Sequence, residues 1–140
     1  MRPDDRGGQN RAWCVRTILV VDDEAVHRES IARTLRAEGH EVIEAIDGRE
    51  GLDQYHLHRP ALVLCDILMP ERDGLEMIGA LRASYPEVPI VAMLAVDDFE
   101  AALLLDIAKA LGANATVLKP LSSTRLIETV SSLLAPPVRH

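Results

Sequence analysis

Three separated groups of residues carry the chemistry open to this chain. Asp22, Asp23 and Glu24 follow the aliphatic run TILVV, Asp66 follows ALVLC within the stretch LVLCDILMPERDG, and Lys119-Pro120 follows ATVL. An ionised carboxylate beside a core is costly unless something pairs with it. Several carboxylates with one ammonium are what a hard divalent cation and an anion together require. Mg2+ typically takes one or two protein carboxylates, keeps waters and shares oxygens with a phosphate. The expected partners of Asp66 are therefore a metal and Lys119. Taken singly, each group has a plainer explanation. An Asp at a strand end is often a turn residue or cap, and acids before a helix favour its dipole. The chemical reading needs all three groups in one place.

The elements that must bring them together follow from the apolar pattern. Thr17 to Val21, Glu41 to Ile46, Ala61 to Cys65, Val88 to Leu94 and Ala115 to Leu118 predict five strands. Helices are predicted over Ala25 to Glu38, stopped by Gly39; Arg49 to His58, after the Asp47-Gly48 turn; Gly74 to Tyr85; Asp97 to Leu111, stopped by Gly112; and Ser122 to Leu134. Such alternation gives an α/β domain with a parallel sheet. Strands buried on both faces account for aliphatic runs that do not alternate. Right-handed crossovers leave few topologies, and the one that suits this length is a flavodoxin-like (βα)5 three-layer sandwich with a five-stranded sheet of order 2-1-3-4-5. In it, the acids after strands one and three share the crevice at the strands' carboxyl ends, with Lys119 reaching in from the far side.

Composition narrows the function classes. The 140 residues fit one domain, with 48% apolar, 26% charged and only 3% aromatic residues. A net charge of −7 argues against a nucleic-acid partner, which wants a basic stripe. Cys14 and Cys65 have no metal or redox spacing, and Cys65 reads as a small buried hydrophobe. No segment has the length of a membrane span, and MRPDDRGGQNRAWCVR lacks the apolar core of a signal peptide. A cytoplasmic protein is expected, with a flexible leader at 1–15, a folded domain at 16–135 and a tail at 136–140. The five histidines show no metal pattern, and nothing supports a Ser-His-Asp or Cys-His site.

ILVVDDE (Ile18 to Glu24), LVLCDILMPERDG (Leu62 to Gly74) and VLKP (Val117 to Pro120), in this order and spacing, resemble the receiver domain of bacterial two-component response regulators. The resemblance runs from about Thr17 to Leu134. It implies that Asp66 is the phosphoacceptor, that Asp23 binds Mg2+ directly with Asp22 holding metal waters, and that the backbone carbonyl of Leu68 completes the site. Lys119 is then the phosphoryl contact, aimed by a cis bond to Pro120. The donor implied is a histidine kinase or histidine phosphotransfer protein, and the chain is an acceptor in its own phosphoryl transfer rather than a turnover enzyme. Output passes to an unknown partner, or to a homodimer, through the face of helices four and five. No direct nucleic-acid or membrane partner is implied.

The chain also departs from that family. The hydroxyl residue usual at the end of strand four is Leu94, and no Ser or Thr occurs from Tyr85 to Ala115. The aromatic usual three residues before the lysine is Thr116. Helix four starts late, as though a few residues were inserted before Gly112. The departures leave open an alternative, a pseudo-receiver binding module that does not switch by phosphorylation. Asp22 and Glu24 also stand at the spacing of nucleophile and acid in phosphatases of the haloacid dehalogenase type, although the usual second residue there is Asp and the Met-Pro and Lys-Pro motifs would go unexplained. On a helical wheel, Phe99, Leu103, Ile107 and Leu111 share one face of helix four. Leu105 falls nearly opposite with Ala101 and Lys109, which makes it an interface candidate.

Overall fold

The structure is a computed structural model that describes residues 16–70, 73–95 and 99–134. The expected leader, with Trp13 and Cys14, and the tail after Leu134 lie outside the described residues. Five strands and five helices alternate: β1 Thr17–Val21, α1 Ala25–Ala37, β2 Glu41–Ala45, α2 Gly48–His58, β3 Leu62–Asp66, α3 Asp73–Ser84, β4 Ile90–Leu94, α4 Phe99–Leu111, β5 Ala115–Leu118 and α5 Ser123–Leu134. The strands form one sheet of order β2-β1-β3-β4-β5, and every neighbouring pair is parallel. This is the predicted flavodoxin-like order. No helix among the described residues is long and apolar enough to cross a membrane.

Alternate residues of the strands feed two cores, because successive side chains point to opposite faces. Leu19, Val21, Val63, Cys65, Ile90 and Ala92 pack with α2, α3 and α4, whereas Ile18, Val20, Leu62, Leu64, Val91 and Met93 pack with α1 and α5. β3 and β4 are buried along their whole length, so their sequences show no polar alternation. Cys65 is buried, as its place in an apolar run suggested.

The helix ends follow local chemistry. Asp47 caps α2 by accepting the N–H of Glu50 at 2.8 Å, while the Glu50 carboxylate accepts the N–H of Ile46 at 2.8 Å. These reciprocal bonds resemble a capping box. Gly39 and Gly112 stop α1 and α4 with φ of 95° and 125°, a backbone region that favours glycine. A Cβ on Gly112 would also meet the Arg82 side chain at 2.5 Å.

Helix α4 corrects the wheel. Ala101 and Ala108 are buried, Leu104 and Leu105 pack against the core, Leu103 is 52% exposed and Leu111 37%. The helix is apolar nearly all round, so periodicity gave no unique inward face. Among the described side chains of α4, the fully buried ones are Ala101 and Ala108 and not the leucines. Leu105 is half-buried and does not stand opposite the core as expected.

Arg82 ties the amino-terminal end of the sheet together. Its guanidinium donates to the Gly112 carbonyl at 2.8 and 3.1 Å, to Asn114 Oδ1 at 2.7 Å and to the Tyr85 carbonyl at 3.0 Å. Asn114 Oδ1 accepts the Ile90 N–H as well, at 2.8 Å. We predict that Arg82→Met, which keeps much of the stem, costs about 2–3 kcal/mol in urea unfolding. A loss below about 0.5 kcal/mol, as for an ordinary surface residue, would show that this clamp contributes little.

His40 generates a second expectation. It is buried, its Nδ1 accepts the Arg16 N–H at 3.1 Å, and burial lowers its pKa from the usual 6.5. The unfolded chain therefore takes up a proton that the folded chain refuses as pH falls below about 6.5. Its contribution to stability is present above 6.5 and is lost on the way down to its depressed folded pKa. His40→Gln should flatten this part of the stability profile; an unchanged slope between pH 7 and 5 would contradict it.

Candidate functional site

Because β1 and β3 lie side by side, Asp22 and Asp66 emerge together at their carboxyl ends. Asp22 is fully buried and every polar group it has is engaged. Its N–H donates to the Ala45 carbonyl at 3.1 Å, and its own carbonyl accepts from Arg28 Nη1 at 2.9 Å. Its Oδ1 accepts the Glu24 N–H at 2.9 Å and its Oδ2 accepts from Lys119 Nζ at 2.7 Å. Asp23 beside it is exposed. Asp66 is buried, with Oδ1 accepting the Leu68 N–H at 2.9 Å and Oδ2 facing Lys119 Nζ at 3.2 Å. Lys119 follows β5, its N–H donates to the Leu94 carbonyl at 2.7 Å, and its bond to Pro120 is cis.

One buried ammonium thus serves two buried carboxylates, and it sits nearer to Asp22. Burial pushes the Asp66 carboxyl up to about 6; the Asp22 charge adds to this, while the Leu68 N–H and Lys119 oppose it. For Lys119 burial pulls the pKa down, but the hydrogen bond to Asp22 and the charges of both carboxylates outweigh it and raise the pKa. Asp22, Asp23 and Asp66 offer one carboxylate oxygen each, all within 4.8 Å of one another. This all-oxygen, anionic donor set fits a hard divalent cation and not a thiophilic metal.

The structure brings Asp22, Asp23, Asp66 and Lys119 together, and it places Leu68 by its backbone against Asp66 with a side chain 47% exposed. Leu94 ends β4 with its side chain fully buried in the core beside α4, so it supplies no donor to the site. Thr116 is half-buried and lies apart from the acids. It lines a groove of about 540 Å³ between α4 and α5 with Leu105, Leu118, Pro120, Leu121 and Arg125.

Two contributors went unread in the sequence. Gly74 reads as half of an Asp-Gly turn, yet a Cβ there would meet the Asp66 carbonyl at 2.2 Å and Ile67 Cα at 2.6 Å. Its hydrogen lets α3 start against the backbone that carries Asp66. Arg28 carries no mark in the sequence, because its partners lie on other elements.

Residues 18–131 match the model of the response regulator receiver domain family. The chain belongs to the response regulator receiver family. Among curated relatives, it is 39% identical over 116 residues to the transcriptional regulatory protein PdtaR of Mycobacterium tuberculosis, covering 82% of this chain and 55% of the relative. It is 39% identical over 118 residues to the response regulator MprA of Mycolicibacterium vanbaalenii, covering 84% and 49%. The receiver thus spans about half the length of the curated relatives it matches. The solved receiver domain of NtrX from Brucella abortus superposes with a TM-score of 0.75 at 34% identity, over 84% of this chain and 97% of that one. The role of this receiver is accordingly in two-component signalling.

A raised carboxyl pKa carries a sign for stability. A folded pKa of about 6 for Asp66 against 3.8 ordinarily means a contribution that is present below pH 3.8 and lost as pH rises through 6. Asp66→Asn removes that loss. At pH 7.5 without divalent cations it should be more stable than the native receiver, by about 1–3 kcal/mol, with the gap closing as pH falls to 4. A less stable variant at pH 7.5 would show that the lysine, not burial, dominates Asp66.

Proposed function

We propose that this receiver accepts a phosphoryl group on Asp66 from a histidine kinase or histidine phosphotransfer protein, in the cytoplasm and with Mg2+. The observation that carries the reading is the Lys119 ammonium between the Asp22 and Asp66 carboxylates, at 2.7 and 3.2 Å, with Asp23 open beside them. Asp22, Asp23 and Asp66, with the Leu68 backbone carbonyl, would hold the ion. When bound, Mg2+ offsets the repulsion between a carboxylate nucleophile and an incoming phosphoryl dianion.

In the transfer, an Asp66 carboxylate oxygen forms the new O–P bond as the donor's P–N bond breaks. Lys119 turns from its carboxylate partner to a phosphoryl oxygen and balances the added charge. The Leu68 N–H holds Oδ1, which leaves Oδ2 as the attacking oxygen. Leu94 offers no hydroxyl to the product. The missing bond to a charged group, worth about 1.5–3 kcal/mol, is comparable to the coupling free energy that typically links two sites. Output from the receiver therefore needs another route than the hydroxyl and aromatic pair, and the groove beside Thr116 is the surface that α4 and α5 can alter.

Intact-protein mass spectrometry after incubation with acetyl phosphate tests this. The expected result is one added phosphoryl group with Mg2+, and none without it or in Asp66→Asn. No addition from acetyl phosphate or from a phosphohistidine donor would favour the second reading, a binding module that keeps the acidic pocket. The buried Leu94 is the observation on that side.

A further inference from the structure

Behind the acidic site lies a polar chain that the transfer does not use. Arg28 stands in the second turn of α1, with its side chain only 13% exposed. Its Nη1 donates to the Asp22 carbonyl at 2.9 Å, while its Nε donates to Glu44 Oε1 on β2 at 3.1 Å. Glu44 Oε2 accepts in turn from Arg36 at 3.3 Å, and Arg36 donates to the Val42 carbonyl at 3.0 Å. The Asp22 carbonyl belongs to the peptide that joins Asp22 to Asp23. Holding it fixes the relative placement of the two carboxylates.

We infer that Arg28 is a positioning residue for the cation site, anchored by Glu44 and acting through the Asp22–Asp23 peptide; this rests on reading those acids as the site of Mg2+. The guanidinium's planar fork suits the task, since it donates along two directions at once to acceptors on different elements. The sign of its effect separates the inference from simple electrostatics. Arg28 is a positive charge near a cation site, so Coulomb repulsion alone predicts that its removal tightens Mg2+ binding. Loss of positioning predicts the reverse. Partners one step behind metal ligands are worth roughly 10–100-fold in metal affinity.

The test follows the backbone amides of Asp23 and Glu24 by NMR as MgCl2 is added to the whole chain, a readout independent of phosphorylation. Arg28→Met should raise the half-saturating Mg2+ concentration by about tenfold or more. Arg28→Lys, which keeps the charge but not the fork, should fall between it and the native protein. Arg33→Gln removes an exposed charge from the same helix and should change nothing. Equal or tighter binding by Arg28→Met overturns the inference. Should that variant fail to fold, as a thermal melt without Mg2+ would reveal, Arg28→Lys decides, since it keeps the positive charge and loses only the fork. It must then weaken binding in the same direction, or the inference falls. A native protein that binds no Mg2+ would instead overturn the reading of the acids themselves.

Discussion

The Lys119 ammonium, shared between two buried carboxylates, is the interaction around which this receiver is arranged. Burying three charged groups opposes folding, and pairing them at 2.7 and 3.2 Å offsets the desolvation only in part, since Asp66 remains pulled toward its neutral form. A well-packed apolar trio at these positions would often be at least as stable. The arrangement therefore makes sense for chemistry more than for stability. It also demands a particular sheet. Asp22 follows β1, Asp66 ends β3 and Lys119 follows β5, so only an order that sets β1 against β3, with β5 two strands further on, lets the three meet.

Much of this was legible because the signals were local and redundant. Aliphatic runs marked the strands, Gly39 and Gly112 marked helix stops, and each charged group stood directly after a run. Given parallel order, their convergence followed. What was illegible depended on contacts between elements. Gly74 looks like a turn glycine until the Asp66 carbonyl is placed against it. Arg28 looks like surface charge until β2 sets Glu44 within 3.1 Å of it. Helix α4 failed for another reason. With leucines at 103, 104, 105 and 111, a wheel cannot choose a face, and the choice fell to the alanines that let the helix pack closely.

The departures at Leu94 and Thr116 fall on the same face of the sheet, the one beneath α4, since Thr116 pairs with Ala92 and Leu94 with Leu118. Leu94 joins the apolar packing under α4, where a hydroxyl would have needed a partner, so the change swaps a possible contact with bound phosphate for core burial. Thr116 leaves an open groove where a larger side chain would fill space between α4 and α5. The Lys119 side chain and the backbone both join Asp66 to the strand end that lines this groove. The Lys119 N–H bonded to the Leu94 carbonyl and the Ile67 N–H bonded to the Met93 carbonyl supply a continuous path along β3, β4 and β5.

The site divides into a fixed half and an open half. Asp22 is locked by β2, by the first turn of α1, by Arg28 and by Lys119, with no exposed surface left. Asp23 and the Leu68 side chain, in contrast, face outward. A cation and a phosphoryl donor would both approach from that open side. Preorganisation matters most where charge changes hands, because groups already held in place need no rearrangement as the charge arrives. On the proposed reading Asp22 would supply a rigid floor, Asp23 the accessible ligand, and Lys119 the buried charge that exchanges a carboxylate for a phosphoryl oxygen. The strength with which the floor is held, through Arg28 and Glu44, would then set how well the open half can work.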